Sequence, residues 1–220
     1  MRSVVFASSF ALLAATSVAS AGLVNPFIPS WAGSANTQFA QWDSFTQASG
    51  GPNAPDSAGS SPFSLFNFAP GALITGSGNI YSQTSALYIM IMGGSLGNAA
   101  TPTDIVMNVA TAGSVMDTGS VKLSIFDNAG HSAVLSPTSA ELRADAPVPP
   151  QGSAQTWAFS WSIGNLGFAA TGFRIEFLAS APSMSLDAVR LDMGYSPVPA
   201  PGAIALLAIA GIPLARRRRR

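Results

Sequence analysis

The sequence predicts an all-β protein, a two-sheet antiparallel β-sandwich of jelly-roll type. Short segments of alternating apolar and polar residues are typical of strands, and glycine- and proline-containing sequences between them are typical of turns. No helical periodicity runs for more than one or two turns in the middle of the chain. Hydrophobic residues make up 48% of the 220 residues, enough for one core, so we expect a single domain spanning 22–195.

Six segments predict strands. Residues 87–92 are apolar on both faces, which is typical of a strand covered on both sides. The other five predicted strands are residues 105–109, 121–125, 157–163, 173–177 and 187–193. Each alternates apolar with polar or small side chains, most clearly at Trp157, Phe159 and Trp161. The residues expected in the core are Trp157, Phe159, Trp161, Phe173, Phe177 and Val189.

Turn sequences at 127–130, 147–152, 164–167 and 181–183 separate the later segments. Residues 23–59 are rich in Pro, Gly, Ser, Asn and Gln, with aromatic residues spaced among them. This composition argues against long helices, and it predicts a loop over residues 49–56.

The charge distribution excludes one class of partner. Arg2 and the final five arginines supply six of the ten positive charges. Between Gly22 and Tyr195 four cations stand against ten acids, a net charge of −6. We therefore expect no nucleic-acid partner, because no cluster of cations is present to neutralise phosphates.

The first 21 residues have the pattern of a cleaved export signal. Arg2 precedes an apolar run over residues 4–18, and the small residues Ala19 and Ala21 stand at the third and first positions before Gly22. Cleavage by signal peptidase is expected after Ala21. The alternative is a retained membrane helix, but the run is short for a hydrocarbon core about 30 Å thick. The absence of cysteine is compatible with export to an oxidising compartment.

The last 25 residues carry three successive features: a proline-rich segment at 196–202, an apolar stretch at 203–215 and five arginines. As a helix, the stretch would cover about 20 Å, less than a bilayer core. The arginines that should stay on the cytoplasmic side are Arg216, Arg217, Arg218, Arg219 and Arg220. The exported domain would thus be held transiently at the membrane.

This three-part tail resembles the PEP-CTERM sorting signal of Gram-negative bacteria. The motif residues are Val198, Pro199, Ala200, Pro201 and Gly202. The resemblance implies recognition by exosortase, a membrane-embedded cysteine transpeptidase-like enzyme that removes the tail near the proline motif. Ala200 stands where the family usually has glutamate, which leaves the cognate exosortase open. The alternatives are an ordinary tail anchor with a basic stop and a chance hydrophobic terminus.

The last predicted strand also resembles the closing strand of jelly-roll modules that precede such tails, and of carbohydrate-binding modules. That resemblance implies Asp187 as a candidate ligand of structural calcium, the one cofactor to consider. The alternative is a solvent-facing Asp187 beside Arg190 and Asp192.

Enzymatic motifs are incomplete. Ser95 lies in a G-x-S-x-G pattern with His131 downstream, but residues 98–103 cannot form the helix that this motif needs. Asp117 begins an Asp-Thr-Gly-Ser sequence that resembles the active-site signature of aspartic proteases, but that catalysis needs a second copy in the chain or a symmetric dimer, and the chain has no second copy. We expect residues 117–120 to form a hairpin turn instead. A carboxylate pair such as Glu141 with Glu176 has nothing to select it. We expect no catalysis.

Aromatic side chains that stack on sugar rings are the remaining candidates for ligand contact, and they are Trp31, Trp42, Tyr81 and Tyr88. The alternative is that they fill the core. The sequence thus favours an exported, exosortase-sorted, non-catalytic protein of the cell surface or extracellular matrix. Signal peptidase and exosortase are its expected partners during export. The alternatives are a carbohydrate-binding module for exopolysaccharide and a small secreted hydrolase.

Overall fold

The computed structural model describes residues 22–59, 63–94, 102–150 and 152–195. These residues form thirteen strands and no helix, so the predicted all-β class is confirmed. The strands are β1 (Thr37–Trp42), β2 (Ser57–Ala58), β3 (Phe63–Asn67), β4 (Leu73–Ile74), β5 (Ile80–Ser82), β6 (Tyr88–Gly94), β7 (Pro102–Gly113), β8 (Met116–Phe126), β9 (Ser132–Leu135), β10 (Ser139–Val148), β11 (Gly152–Ser162), β12 (Gly172–Ala179) and β13 (Met184–Tyr195). The predicted signal peptide, apolar helix and sorting tail lie outside the described residues.

The strands form two antiparallel sheets around one core. The eight-stranded sheet has the order β10-β11-β7-β13-β1-β2, with β5 pairing β13 and β4 pairing β5. The five-stranded sheet has the order β3-β6-β12-β8-β9. The two sheets have the connectivity of a jelly roll. Its two four-stranded sets are β1-β13-β7-β11 and β6-β12-β8-β9, and the chain crosses repeatedly from one set to the other. The predicted turns separate β8 from β9, β10 from β11, β11 from β12 and β12 from β13.

The core lies between the sheets and contains five of the six expected residues. Phe159, Trp161, Phe173, Phe177 and Val189 are all buried. Trp157 was also expected in the core, but it is only half-buried. It lies opposite Leu142 of the exposed edge strand β10, where the sheet gives it little cover. Its indole N–H donates to Gln155 at 3.1 Å.

The expected hairpin role of residues 117–120 is wrong. These residues lie inside β8, and the turn before β8 comes at residues 114–115. They form a bulge, because residues 118–121 stand opposite Phe177 alone. Asp117 accepts the Gly119 N–H at 3.1 Å, and Ser120 Oγ donates to the Asp117 carbonyl at 2.6 Å. Short local hydrogen bonds therefore explain this sequence.

Residues 23–59 are more ordered than their composition predicts. Strand β1 pairs with β13 along its whole length, and the indole N–H of Trp42 donates to the Asn53 carbonyl at 3.0 Å. In the following loop, Asn53 Oδ1 accepts the N–H groups of Thr46 and Gln47 at 2.8 Å. Asn53 also forms an antiparallel bridge with Leu65 of β3, so its side chain and its backbone together hold this loop.

The segment of residues 22–36 covers part of the outer face of the eight-stranded sheet. Asn108 on β7 pairs with the backbone of Phe27 in both directions: Oδ1 accepts its N–H at 2.7 Å, and Nδ2 donates to its carbonyl at 3.0 Å. The Val24 N–H donates to Thr156 Oγ1 at 3.1 Å. Asn108 and Thr156 are therefore buried although they face away from the core.

Candidate functional site

The strongest candidate for a ligand-binding surface is a row of aromatic side chains on the outer face of the five-stranded sheet. Phe66 stacks against Phe68 with ring centroids 5.9 Å apart and planes 7° from parallel. Phe68 in turn contacts Tyr88, with centroids 5.7 Å apart. We call Phe66, Phe68 and Tyr88 the aromatic platform.

Strand alternation places the platform outside. In β3, Phe63, Leu65 and Asn67 are buried, so Phe66 and the following Phe68 face away from the core. In β6, Ile89 and Ile91 are buried, so Tyr88 faces the same side as the phenylalanines. The buried Asn67 fixes this edge: its Oδ1 accepts the Ala69 N–H at 3.0 Å and the Tyr88 N–H at 3.3 Å.

Fixed polar groups adjoin the platform. The Tyr88 hydroxyl donates to Glu176 Oε1, and Arg174 Nε lies 3.1 Å from Glu176 Oε2. The hydrogen bond to Glu176 raises the pKa of Tyr88, because the protonated phenol is the form that donates to the carboxylate. The Glu176 carboxylate therefore stands beside the rings in a set orientation.

The platform is accessible. Phe68 is 44% exposed, and Leu178, opposite Tyr88, and Met92, farther along the same face of β6, are also exposed. A cluster of exposed large apolar side chains next to oriented polar groups is typical of a binding surface. Flat rings with adjacent hydrogen-bonding groups suit a ligand that offers both C–H faces and hydroxyls.

The four aromatic residues expected to contact glycans are not brought together. Tyr88 is in the platform, whereas Tyr81 lies on β5 at the outer face of the other sheet. Trp31 lies in the segment of residues 22–36, beside Gly194 and above a pocket near Asp104. Trp42 is wrong as a contact residue, because it is 0% exposed and belongs to the core. Phe66 and Phe68 were missed.

Asp187, the candidate calcium ligand, is largely buried. Its Oδ1 accepts hydrogen bonds from Asn79 Nδ2 and Ser185 Oγ, both at 2.7 Å. Burial raises the pKa of this carboxyl. Calcium takes six to eight oxygen ligands, whereas the contacts of Asp187 in this arrangement are hydrogen bonds from Asn79 and Ser185, so the calcium site stays a prediction. In the described ranges no group of three or more His, Asp or Glu side chains could hold a metal ion.

The catalytic candidates are also separate. Ser95 lies outside the described residues. The His131 ring nitrogen Nδ1 lies 2.6 Å from Asp127 in an exposed turn, and this contact lowers the pKa of Asp127. Glu141 is on β10 and pairs with Arg143, whereas Glu176 is on β12 in the opposite sheet. The two carboxylates therefore do not flank one site.

The signal-cleavage residues, the proline motif and the arginine cluster lie outside the described residues. Within the part of the chain that the structure describes, no helix has the length and hydrophobicity needed to cross a membrane. Comparison with protein-family models, with curated proteins and with solved structures found no match.

Proposed function

We propose that this chain is an exported, exosortase-sorted protein of the cell surface or extracellular matrix, with a non-catalytic β-sandwich domain. The observation that carries the proposal is the three-part tail, in which the arginine cluster resists translocation after the apolar stretch. The tail resembles a PEP-CTERM signal, and an export signal precedes the domain.

The end of the domain is compatible with removal of the tail. Strand β13 runs to Tyr195, directly before the proline-rich segment, and pairs with β7 and β1 in the middle of the large sheet. The Tyr195 N–H donates to the Asn36 carbonyl at 3.0 Å. A cut near Val198 would leave these contacts intact, so the domain would keep its fold after release.

Replacing all five terminal arginines with glutamine is expected to abolish tail removal, because the positive charges that hold the tail on the cytoplasmic side are lost. The measurement is intact-mass spectrometry of the protein purified from its own cells and culture medium. A variant with five lysines is the matched control and should be processed, since it keeps the charge. The proposal fails if the unchanged protein is cytosolic with residues 196–220 attached.

A second candidate function is binding of exopolysaccharide, and the aromatic platform favours it. Three rings in contact give a strip long enough for successive sugars, and the Glu176 carboxylate can accept their hydroxyls. The domain's net charge of −6 favours a polysaccharide without acidic groups.

Phe68→Ala and Tyr88→Ala are each expected to weaken polysaccharide binding about tenfold, the loss of one stacking contact of about 1.4 kcal/mol. Val134→Ala is the matched control, because Val134 is 66% exposed on β9 of the same sheet but lies away from the rings. Affinity electrophoresis of the secreted protein in gels containing neutral polysaccharides gives the affinities. Equal retardation of all three variants and the unchanged protein would show that the aromatic platform does not bind polysaccharide. Only the proposed role as a non-catalytic surface or matrix protein would then remain.

A further inference from the structure

A concave surface lies on the outer face of the other, eight-stranded sheet. It is a groove of about 420 Å³ between β5 and the β10–β11 hairpin. Its described lining residues are Tyr81, Ala112, Gly113, Val148, Pro150, Ser183 and Ser185. The volume falls within the range of about 300–1,000 Å³ that is typical of small-molecule sites.

Small residues form the floor of this groove. Ser185 of β13 lies between Tyr81 of β5 and Ala112 of β7, so the central strands carry only short side chains there. Next to them, Gly113 and Gly152 both have positive φ, 89° and 117°. A Cβ on Gly152 would lie 2.3 Å from the Gly113 carbonyl oxygen, so this close approach requires glycine. The floor is therefore flat, with the Tyr81 side chain along one side.

Oriented polar groups line the same groove. The Ser185 hydroxyl donates a hydrogen bond to Asp187, so the lone pairs of Ser185 Oγ can accept a hydrogen bond from a ligand. Ser183 has a φ of 70°, a left-handed conformation that costs energy in a residue other than glycine. Backbone hydrogen bonds hold it there, to Ser82 at 2.7 Å and from Ser114 at 3.0 Å. Such strained positions are concentrated at ligand-binding sites.

The charge of the groove restricts the ligand. Its described lining includes neither lysine nor arginine, and the nearest charged partner of Ser185 is the carboxyl group of Asp187. An anionic ligand would meet no compensating cation and would be repelled by that carboxylate. The chemistry therefore selects a neutral ligand with an apolar face and several hydroxyls.

We propose that this groove binds a single neutral hexopyranose ring, with the Tyr81 ring against the apolar face of the sugar and Ser185 accepting one of its hydroxyls. This inference rests on the carbohydrate-binding candidate above but concerns a separate site on the other sheet. The platform would bind along a chain, whereas the groove would bind one ring.

The test is isothermal titration calorimetry of the secreted protein with glucose, galactose and mannose, and with glucuronate as the acidic probe. We expect at least one neutral hexose to bind and glucuronate to bind more weakly. Tyr81→Ala should weaken that binding about tenfold. Ala112→Leu should abolish it, because the larger side chain fills the floor. Leu73→Ala is the matched control, since Leu73 is paired with Tyr81, is 49% exposed and lies outside the groove lining.

The outcomes separate the two sites. Hexose binding that is lost in Tyr81→Ala and kept in Phe68→Ala supports the groove. Hexose binding that is lost in Phe68→Ala and kept in Tyr81→Ala overturns the groove and assigns the sugar to the platform. Absence of hexose binding at millimolar concentration also overturns the groove, while polysaccharide binding measured in gels still decides the platform. Tighter binding of glucuronate than of any hexose overturns the neutral-ligand assignment.

Discussion

Trp42→Ala is expected to lower the free energy of unfolding by about 4 kcal/mol, because truncation of a buried aromatic side chain leaves a cavity. Trp42 is 0% exposed and lies in the core cluster. The change also removes one of the two donors to the buried Asn53 carbonyl, which keeps its hydrogen bond from the Leu65 N–H at 3.0 Å, so the cavity accounts for most of the loss. Equilibrium denaturation with urea, followed by circular dichroism, measures the difference.

Two further variants calibrate this result. Trp42→Phe keeps most of the apolar volume and should cost clearly less than Trp42→Ala. Trp157→Ala removes the same side chain from a half-buried position, so its cost should also be smaller. If Trp42→Ala kept its stability and instead lost polysaccharide binding, Trp42 would be a surface residue and the described core would be wrong.

The strands that could be predicted from the sequence have one feature in common. In β12, Phe173, Ile175 and Phe177 are buried while Arg174 and Glu176 face outward. One face of the strand is buried and the other faces solvent, so apolar and polar residues alternate strictly. This alternation identifies the strand and shows which of its side chains point into the core. The same reasoning explains the correct identification of β8, where Val121, Leu123 and Ile125 are buried and Lys122 faces outward.

Strands whose outer face is covered, or whose pairing depends on distant groups, were harder to predict. Of β7, which runs from Pro102 to Gly113, only residues 105–109 were predicted. Its outer face is buried at Asn108, because the backbone of Phe27, 81 residues away in sequence, bonds to that side chain. The short strand β1 lies among proline and glycine residues, and Asn53 and Asp56 organise the loop after it. No local sequence pattern predicts such hydrogen bonds between a side chain and a distant backbone group.

The aromatic platform was missed because its strand inverts the usual pattern. In β3 the polar Asn67 faces inward and the apolar Phe66 faces outward. Asn67 can be buried because it donates to the Ala48 carbonyl at 2.8 Å and accepts two backbone N–H groups. Tyr88 was identified as a candidate, but its neighbours in the folded chain belong to another strand.

Gly93→Ala is expected to destabilise the fold by about 3 kcal/mol through overpacking. Gly93 belongs to the glycine-rich sequence that suggested a nucleophile motif, but the structure gives it a packing role. A Cβ at this position would lie 2.2 Å from a ring carbon of Phe173 and 2.7 Å from one of Phe63. The two rings meet edge to face across it, with centroids 5.6 Å apart. Thermal unfolding of the secreted protein provides the measurement.

Replacing Phe173, whose ring lies against Gly93, tests whether overpacking causes this loss of stability. Phe173→Leu alone should destabilise the protein, but combined with Gly93→Ala it should cost less than the sum of the two, since the smaller side chain makes room for the new methyl group. Gly164→Ala is the matched control, because nothing lies within 4 Å of its added Cβ. A loss as large in Gly164→Ala as in Gly93→Ala would show that glycine replacement in general, rather than the contact with Phe63 and Phe173, limits stability.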